Sequence, residues 1–442
     1  MMNRYLLTYV AFILLAMAAE TTYAASASFR IVAYMDKYDQ PAGFVEGAPG
    51  VFYGTAGGYT HVGFSITPQG SMTVLASFPS GHNIVPTFVA GANGRLYSTV
   101  QISDNPASVF SITSNPGSEI YAAQTLGPSM TQGLPGGELL AVATKLTGTV
   151  ISAYLATVDL KGVVTGIAAF PPSQVALTAI YASDGNFYGV AQATNAPTGY
   201  VFRVTPSGSL TQLYNFPSGS FYGYASLPLL QADDGNLYGA LPNGGANGTG
   251  IIYKLTLSGQ YTLLYTFPKN NDSFPNALIE GSDGNFYGAT GGDFPVGGVG
   301  QLFRVTKSGQ YTALYTLEHP ARDGACNCTI DLGSDGMIYG TAQGAGATGA
   351  GAVFALDAGL PKPRPWAKQF HPESGPAGTR VLIWGSNLLG PSVDFNGVPA
   401  AAVFASGPNY VWATVPAGAT SGPITVTTPG GANATHGSFT VE

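Results

Sequence analysis

Residues 281–290 read Gly281-Ser282-Asp283-Gly284-Asn285-Phe286-Tyr287-Gly288-Ala289-Thr290, and the phrase returns along most of the chain. An Asp-Gly pair suits a tight hairpin, because Gly tolerates positive φ and Asp bonds back to its own backbone. Two further strings follow, Gln301-Leu302-Phe303-Arg304-Val305-Thr306-Lys307-Ser308-Gly309 and Gln310-Tyr311-Thr312-Ala313-Leu314-Tyr315-Thr316-Leu317. Anchored on the tyrosine of the phrase, copies fall at Tyr53, Tyr97, Leu140 (a degenerate copy), Tyr188, Tyr238, Tyr287 and Tyr339. The spacings are 44, 43, 48, 50, 49 and 52 residues.

That period matches one four-stranded blade of a β-propeller. In the sixth copy the strands are expected at 276–280, 286–289, 302–306 and 311–315, and no helical period competes. Strands such as Ile251-Ile252-Tyr253 are apolar on both faces, as a blade between two neighbours requires, and charged residues make up only 9% of the chain. The seventh copy has three strands and then meets Pro361-Lys362-Pro363. Its missing fourth strand is expected from the N-terminus, Ser28-Phe29-Arg30-Ile31-Val32-Ala33-Tyr34, which would close a seven-bladed ring and remove its open edges.

The string Ser-Asp-Gly-Asn-Phe-Tyr-Gly, followed by Phe-Arg-Val-Thr-x-Ser-Gly and Leu-Tyr-x-Phe, resembles the Gloeo-Verruco type of extracellular tandem repeat from bacteria. Copies four to seven match closely and copies one and two more loosely. Copy three, Glu138-Leu139-Leu140-Ala141, lacks the Asp-Gly-Asn turn. The resemblance implies a secreted or surface β-propeller spanning residues 25–360, without implying one chemistry.

Residues 361–366, Pro-Lys-Pro-Arg-Pro-Trp, read as a stiff linker. Beyond it, Arg380-Val381-Leu382-Ile383-Trp384-Gly385 and Val415-Pro416-Ala417-Gly418-Ala419-Thr420-Ser421-Gly422-Pro423-Ile424-Thr425-Val426 make residues 367–442 resemble an IPT/TIG domain, a small immunoglobulin-like β-sandwich. Short alternating strands with Gly and Pro turns say the same independently. Alternation sends Val381 and Ile383 inward and Trp384 outward, where it could stack on a sugar or pack against the repeats.

Residues 1–24 read as a secretory signal: Arg4 gives a positive start, an apolar run follows, and Thr22-Tyr23-Ala24 ends on a small residue. The run is short for a membrane span of about 20 residues. A secreted or extracytoplasmic chain with no membrane span in its mature part is expected, and a monomer. The net charge of −7 with no basic stripe argues against nucleic acid. Cys326 and Cys328 are the two cysteines, placed in a loop before the seventh copy, where a loop disulfide and a free pair are both open readings.

No His-Glu-x-x-His, Gly-x-Ser-x-Gly or phosphate-loop motif occurs, and the five histidines have no metal-ligand spacing. No catalytic residue, metal or cofactor is therefore assigned. The recurring Asp184, Asp234, Asp283 and Asp335 read as turn formers, one per copy, too few per loop for calcium. Ligand binding is expected on the face shared by the loops from strand two to three and from strand four to the next copy. There Tyr59, His61, His82, Tyr222, Tyr224, Asn271, Asp272, Phe274, Arg322 and Asp323, with Trp384 in the tail, interleave aromatic and polar groups as carbohydrate sites do. The functions that fit are a non-catalytic binding or adhesion protein for a glycan or surface protein, a polysaccharide hydrolase or lyase with an accessory domain, and a structural spacer.

Overall fold

The computed structural model describes residues 27–442 except 36–39, 58–60, 79–81, 85–87, 103–107, 113–117, 121–128, 148–149, 194–197, 218–228, 270–273, 292–299 and 318–322. The chain is all-β. Its repeats fold into antiparallel sheets at 42–78, 82–120, 129–169, 174–215, 230–266 and 275–316, called sheets one to six in chain order; the next, sheet seven, combines 325–357 with the N-terminal strand. Sheet six is typical: Pro275–Glu280, Phe286–Thr290, Gln301–Val305 and Tyr311–Thr316 pair in sequence order, within a residue of the expected spans. In sheet two the first strand is split, and both His82–Ile84 and Val89–Ala90 pair with Leu96–Ile102.

Each recurring residue has a mechanical task. Gly281 N–H donates to Asn285 O at 2.8 Å, and Gly284, at φ +76°, turns the chain. Asp283 accepts from Asn285 N–H at 3.1 Å and from the Tyr287 hydroxyl at 3.0 Å. The same hydroxyl bond joins Tyr188 to Asp184, Tyr238 to Asp234 and Tyr339 to Asp335. The acidic repeat is thus a clip between a turn and its second strand. The glycine after the tyrosine lies under a ring: a Cβ on Gly288 would stand 2.2 Å from Phe303 Cζ and 2.6 Å from Ala277 O. In the turn from strand three to four, Thr306 Oγ1 accepts from Gln310 N–H at 3.0 Å and contacts Ser308 Oγ at 2.8 Å, which accounts for Thr-x-Ser-Gly.

The core lies between sheets. Leu140, Val142 and Leu155 of sheet three pack on Ala179 and Phe202 of sheet four. Equivalent clusters join four to five, five to six, six to seven, one to two and two to three. One more joins seven to one, through Tyr339, Val353 and Ala355 against Phe44, Phe52 and Phe64. These are propeller sheets, each sandwiched by two neighbours. The N-terminal strand Ser28–Tyr34 pairs antiparallel with Ala352–Asp357, with Ser28 opposite Asp357 and Tyr34 opposite Ala352. Outer strands also stack rings: Tyr214 on Tyr261, Tyr265 on Tyr311 and Tyr315 on Phe29, with centroids 4.2, 4.6 and 4.0 Å apart. Phe29 therefore continues across the junction a contact made twice inside the repeats.

The tail is a two-sheet sandwich. One sheet orders Trp366–His371, Arg380–Ser386, Tyr410–Thr414 and Ala402–Ala405; the other holds Ser374–Gly375, Gly431–Val441, Gly422–Thr428, Ser392–Phe395 and Val398–Pro399. Val381, Ile383, Val393, Phe395, Val411, Ala413, Ile424, Val426 and Phe439 fill its core, as the alternation requires.

Cys326 and Cys328 lie on the strand Ala325–Leu332, not in a loop before it. The register slips there: Ala325 faces Gln343 and Thr329 faces Thr341, so four steps on one strand oppose two on the other. The bulge absorbs the Cys-x-Cys. Cys328 is disulfide-bonded, and the chain has one other cysteine.

Candidate functional site at the domain seam

Period-two alternation puts Arg380, Leu382 and Trp384 on the outer face of the sandwich, with Trp384 opposite Tyr410 and Leu382 opposite Trp412; Trp412 in turn faces Phe404. The Trp384–Tyr410 row is buried against the repeats. Trp384 Nε1–H donates to Gly133 O at 3.1 Å, and the Tyr410 hydroxyl donates to Leu134 O at 2.7 Å. Ser406 Oγ–H and Trp412 Nε1–H both donate to Ala92 O, at 3.0 and 2.7 Å. Tyr181 meets the Trp384 ring edge-on at 5.7 Å. Burial raises the Tyr410 hydroxyl pKa far above the ordinary phenol range. Lys368 lies 4.2 and 5.0 Å from the centres of the Trp366 and Trp384 rings, and burial pulls its ammonium down to about 8.

Every acceptor in this dock lies in, or directly before, a turn between the first two strands of sheet two or three. The sandwich therefore sits on the turn face, opposite the expected loop face. It docks where the repeat is degenerate: Leu134-Pro135-Gly136-Gly137 replaces the Asp-Gly-Asn phrase, and the carbonyls of Gly133 and Leu134 receive the sandwich's donors.

Hollows flank the dock, and two of them bear on function. The larger, about 570 Å³, is walled by Ala92, Asn93, Pro135–Gly137 and Leu160 from the repeats. His371, Pro372, Arg380, Leu382, Phe404 and Trp412 wall it from the sandwich. Phe404 is 54% exposed there, and Arg380 holds its guanidinium 4.8 Å from the Trp412 ring centre. The smaller, about 210 Å³, contains Glu46, Asp331 and Ser334. Glu46 accepts from Gly50 N–H and from Ser334 N–H and Oγ–H, while Asp331 accepts from the Glu46 and Leu332 N–H groups. Burial, reinforced by the neighbouring Glu46, pushes Asp331 up to about 7. This pair clamps sheet seven to sheet one.

The loop-face expectation is met only by fragments. Tyr59, Tyr222, Tyr224, Asn271, Asp272 and Arg322 lie outside the described residues. His82 is on the split first strand of sheet two, opposite Ile102. His61 is half-buried at the start of the strand His61–Ile66, over Gly57. Phe274 has φ +67° and is held by backbone bonds to Thr249 and Gly291. Asp323 is fully buried and accepts from the Tyr315 hydroxyl at 3.2 Å, so it is a packing residue and not a ligand contact. Of the two readings of Trp384, packing against the repeats holds and sugar contact does not: it is 2% exposed and bonded to Gly133 O. The seam residues Arg380, Phe404 and Trp412 were overlooked, although Tyr410-x-Trp412 carries the same outward alternation as Trp384. Among the described residues no group of three His, Cys, Asp or Glu could hold a metal, and no helix is long and apolar enough to cross a membrane.

Comparison with known families agrees with this architecture. Residues 175–370 match the Gloeobacter/Verrucomicrobia repeat, and residues 365–441 match the IPT/TIG domain. Residues 175–441 thus carry a Gloeo-Verruco repeat region that runs into an IPT/TIG domain. No curated protein matches it. Among solved structures it is similar to a streptogramin B lyase at 15% identity and TM-score 0.52, covering 75% of this chain and 97% of that one. It is similar to the virginiamycin B lyase of Staphylococcus aureus at 14% and 0.51, covering 75% and 98%. A fungal alcohol oxidase of the AA5 family, in complex with copper, matches at 14% and 0.52 over 94% of this chain and 100% of that one. At such identities the likeness is one of fold, and the oxidase match extends into the IPT/TIG domain.

Proposed function

We propose that this is a secreted or cell-surface, non-catalytic binding protein, a closed ring of seven blades carrying an IPT/TIG domain fixed to its turn face. The observation that carries the reading is the hollow at the seam. It is walled by both domains, lies within the 300–1,000 Å³ range of ligand clefts, and offers the exposed Phe404 ring and part of Trp412 beside polar groups. That surface suits carbohydrate, or a protein side chain of similar character. With the turns of sheets two and three covered, the loop face bearing His61 and Phe274 is a second surface open to a partner. The test is retention of residues 25–442 on a glycan array and on cell-wall fractions. Failure to retain any glycan, wall fraction or surface protein rejects the reading.

The alternative, a polysaccharide hydrolase or lyase, draws on one observation: Glu46 and Asp331 share a cavity and Asp331 titrates near neutrality. Against it, both oxygens of Glu46 are committed to Gly50 and Ser334. A reducing-end and unsaturated-product assay on each retained polysaccharide separates the two; turnover abolished by Asp331→Asn would favour the enzyme.

A further inference from the structure

We propose that the seam hollow takes a carboxylate-bearing sugar, a uronate unit of an acidic polysaccharide. This rests on the binding reading and names its ligand class. The first support is the repeat itself. Copies four to seven place an aspartate four residues before the anchoring tyrosine. The two copies that wall the hollow do not: Asn93 precedes Tyr97, and Gly136 precedes Leu140. In a chain of net charge −7, the lining of this hollow holds no carboxylate.

The second support is Arg380. Among the described residues its guanidinium has no carboxylate partner and no hydrogen bond, and it sits 4.8 Å from the Trp412 ring centre, a cation–π contact that aims it. An aimed guanidinium offers two parallel N–H groups to a carboxylate. Trp412 is itself fixed, because its indole N–H is bonded to Ala92 O. Phe404, over Gly94, adds a second exposed ring for the C–H face of a sugar, and exposed His371 adds a hydroxyl partner. One guanidinium fits a singly charged carboxylate better than a phosphate, which carries nearly two charges.

The experiment measures affinity of residues 25–442 for polygalacturonate, alginate and fully methyl-esterified polygalacturonate. At least one free acid should bind, and esterification should weaken binding about tenfold or more, the scale of one lost charge-assisted contact. Arg380→Gln should do the same, with partial recovery in Arg380→Lys. Gly136→Asp restores the repeat's carboxylate at a position where an added Cβ meets nothing within 4 Å, and should also weaken the acid about tenfold. Thermal midpoints of the variants show that they are folded. Equal binding of acid and ester, unchanged affinity in Arg380→Gln and Gly136→Asp, or retention of neutral, sulfated or phosphorylated glycans alone overturns the uronate inference and leaves the binding reading standing. Retention of nothing on the array or wall fractions overturns both.

Discussion

Replacing Trp384 by alanine tests the dock between the two domains. The indole is 2% exposed, donates to Gly133 O at 3.1 Å and meets Tyr181 edge-on at 5.7 Å. Truncating a buried tryptophan costs about 3–5 kcal/mol. Within that, the hydrogen bond accounts for about 1 kcal/mol and the aromatic pair for about 0.5–1.5 kcal/mol. The loss falls on docking, because Trp384 points away from the core of Val381, Ile383 and Val411. In calorimetry Trp384→Ala should therefore split the unfolding endotherm, with the IPT/TIG domain melting ahead of the propeller. Limited proteolysis should then open the 361–366 segment. A Trp384/Tyr181 double-mutant cycle should return a coupling within the aromatic range above. A single endotherm at the parental midpoint, with unchanged proteolysis, would refute the claim that this ring fastens the domains.

Four other outcomes are expected. In Asp234, burial opposes the charged form, but hydrogen bonds from Tyr238 and Asn236 and the Lys254 ammonium outweigh it and bring the carboxyl down to about 2. The unfolded value is higher, so this clip stabilises above pH ~4 and its contribution is lost as the pH falls toward 2; acid titration of the midpoint should flatten in Asp234→Asn. Asp331 runs the other way: its folded carboxyl binds a proton up to about pH 7, so stability should decline as pH rises from about 4 to 7, and Asp331→Asn should lack that decline. Gly288→Ala drives a methyl into Phe303 and Ala277 O and should cost about 1–3 kcal/mol or more in urea melts. Deleting residues 27–34 bares the Ala352–Asp357 edge and removes the Phe29–Tyr315 stack, so light scattering should show a larger average mass than for the parent at equal concentration.

The repeat was legible because its period is enforced by local chemistry. The Asp–Tyr clip, the Thr-x-Ser-Gly turn and the glycine beneath Phe303 all act within about twenty residues. Even the N-terminal strand could be read, since the seventh copy lacked one strand and the chain held one spare. The dock was not legible in the same way. Trp384 and Tyr410 read as outward from alternation, but their partners are the backbone carbonyls of Gly133 and Leu134, which any sequence could supply. The degeneracy of copy three was visible as a departure from pattern; its cause, a second domain seated there, emerges only in three dimensions. Asp323 misled because a loop acid beside Arg322 looks available, whereas Tyr315 and the packing of sheets six and seven enclose it.

The pairing of Ser28 with Asp357 also dictates an order of events. The first strand to emerge from synthesis has no partner until the last repeat has followed it, more than three hundred residues later. Loop-closure entropy grows only logarithmically with that separation, but contacts so remote in sequence form late. The latch between the two ends is therefore expected to close after the sheets between them have formed, and until then the opening segment stays unpaired.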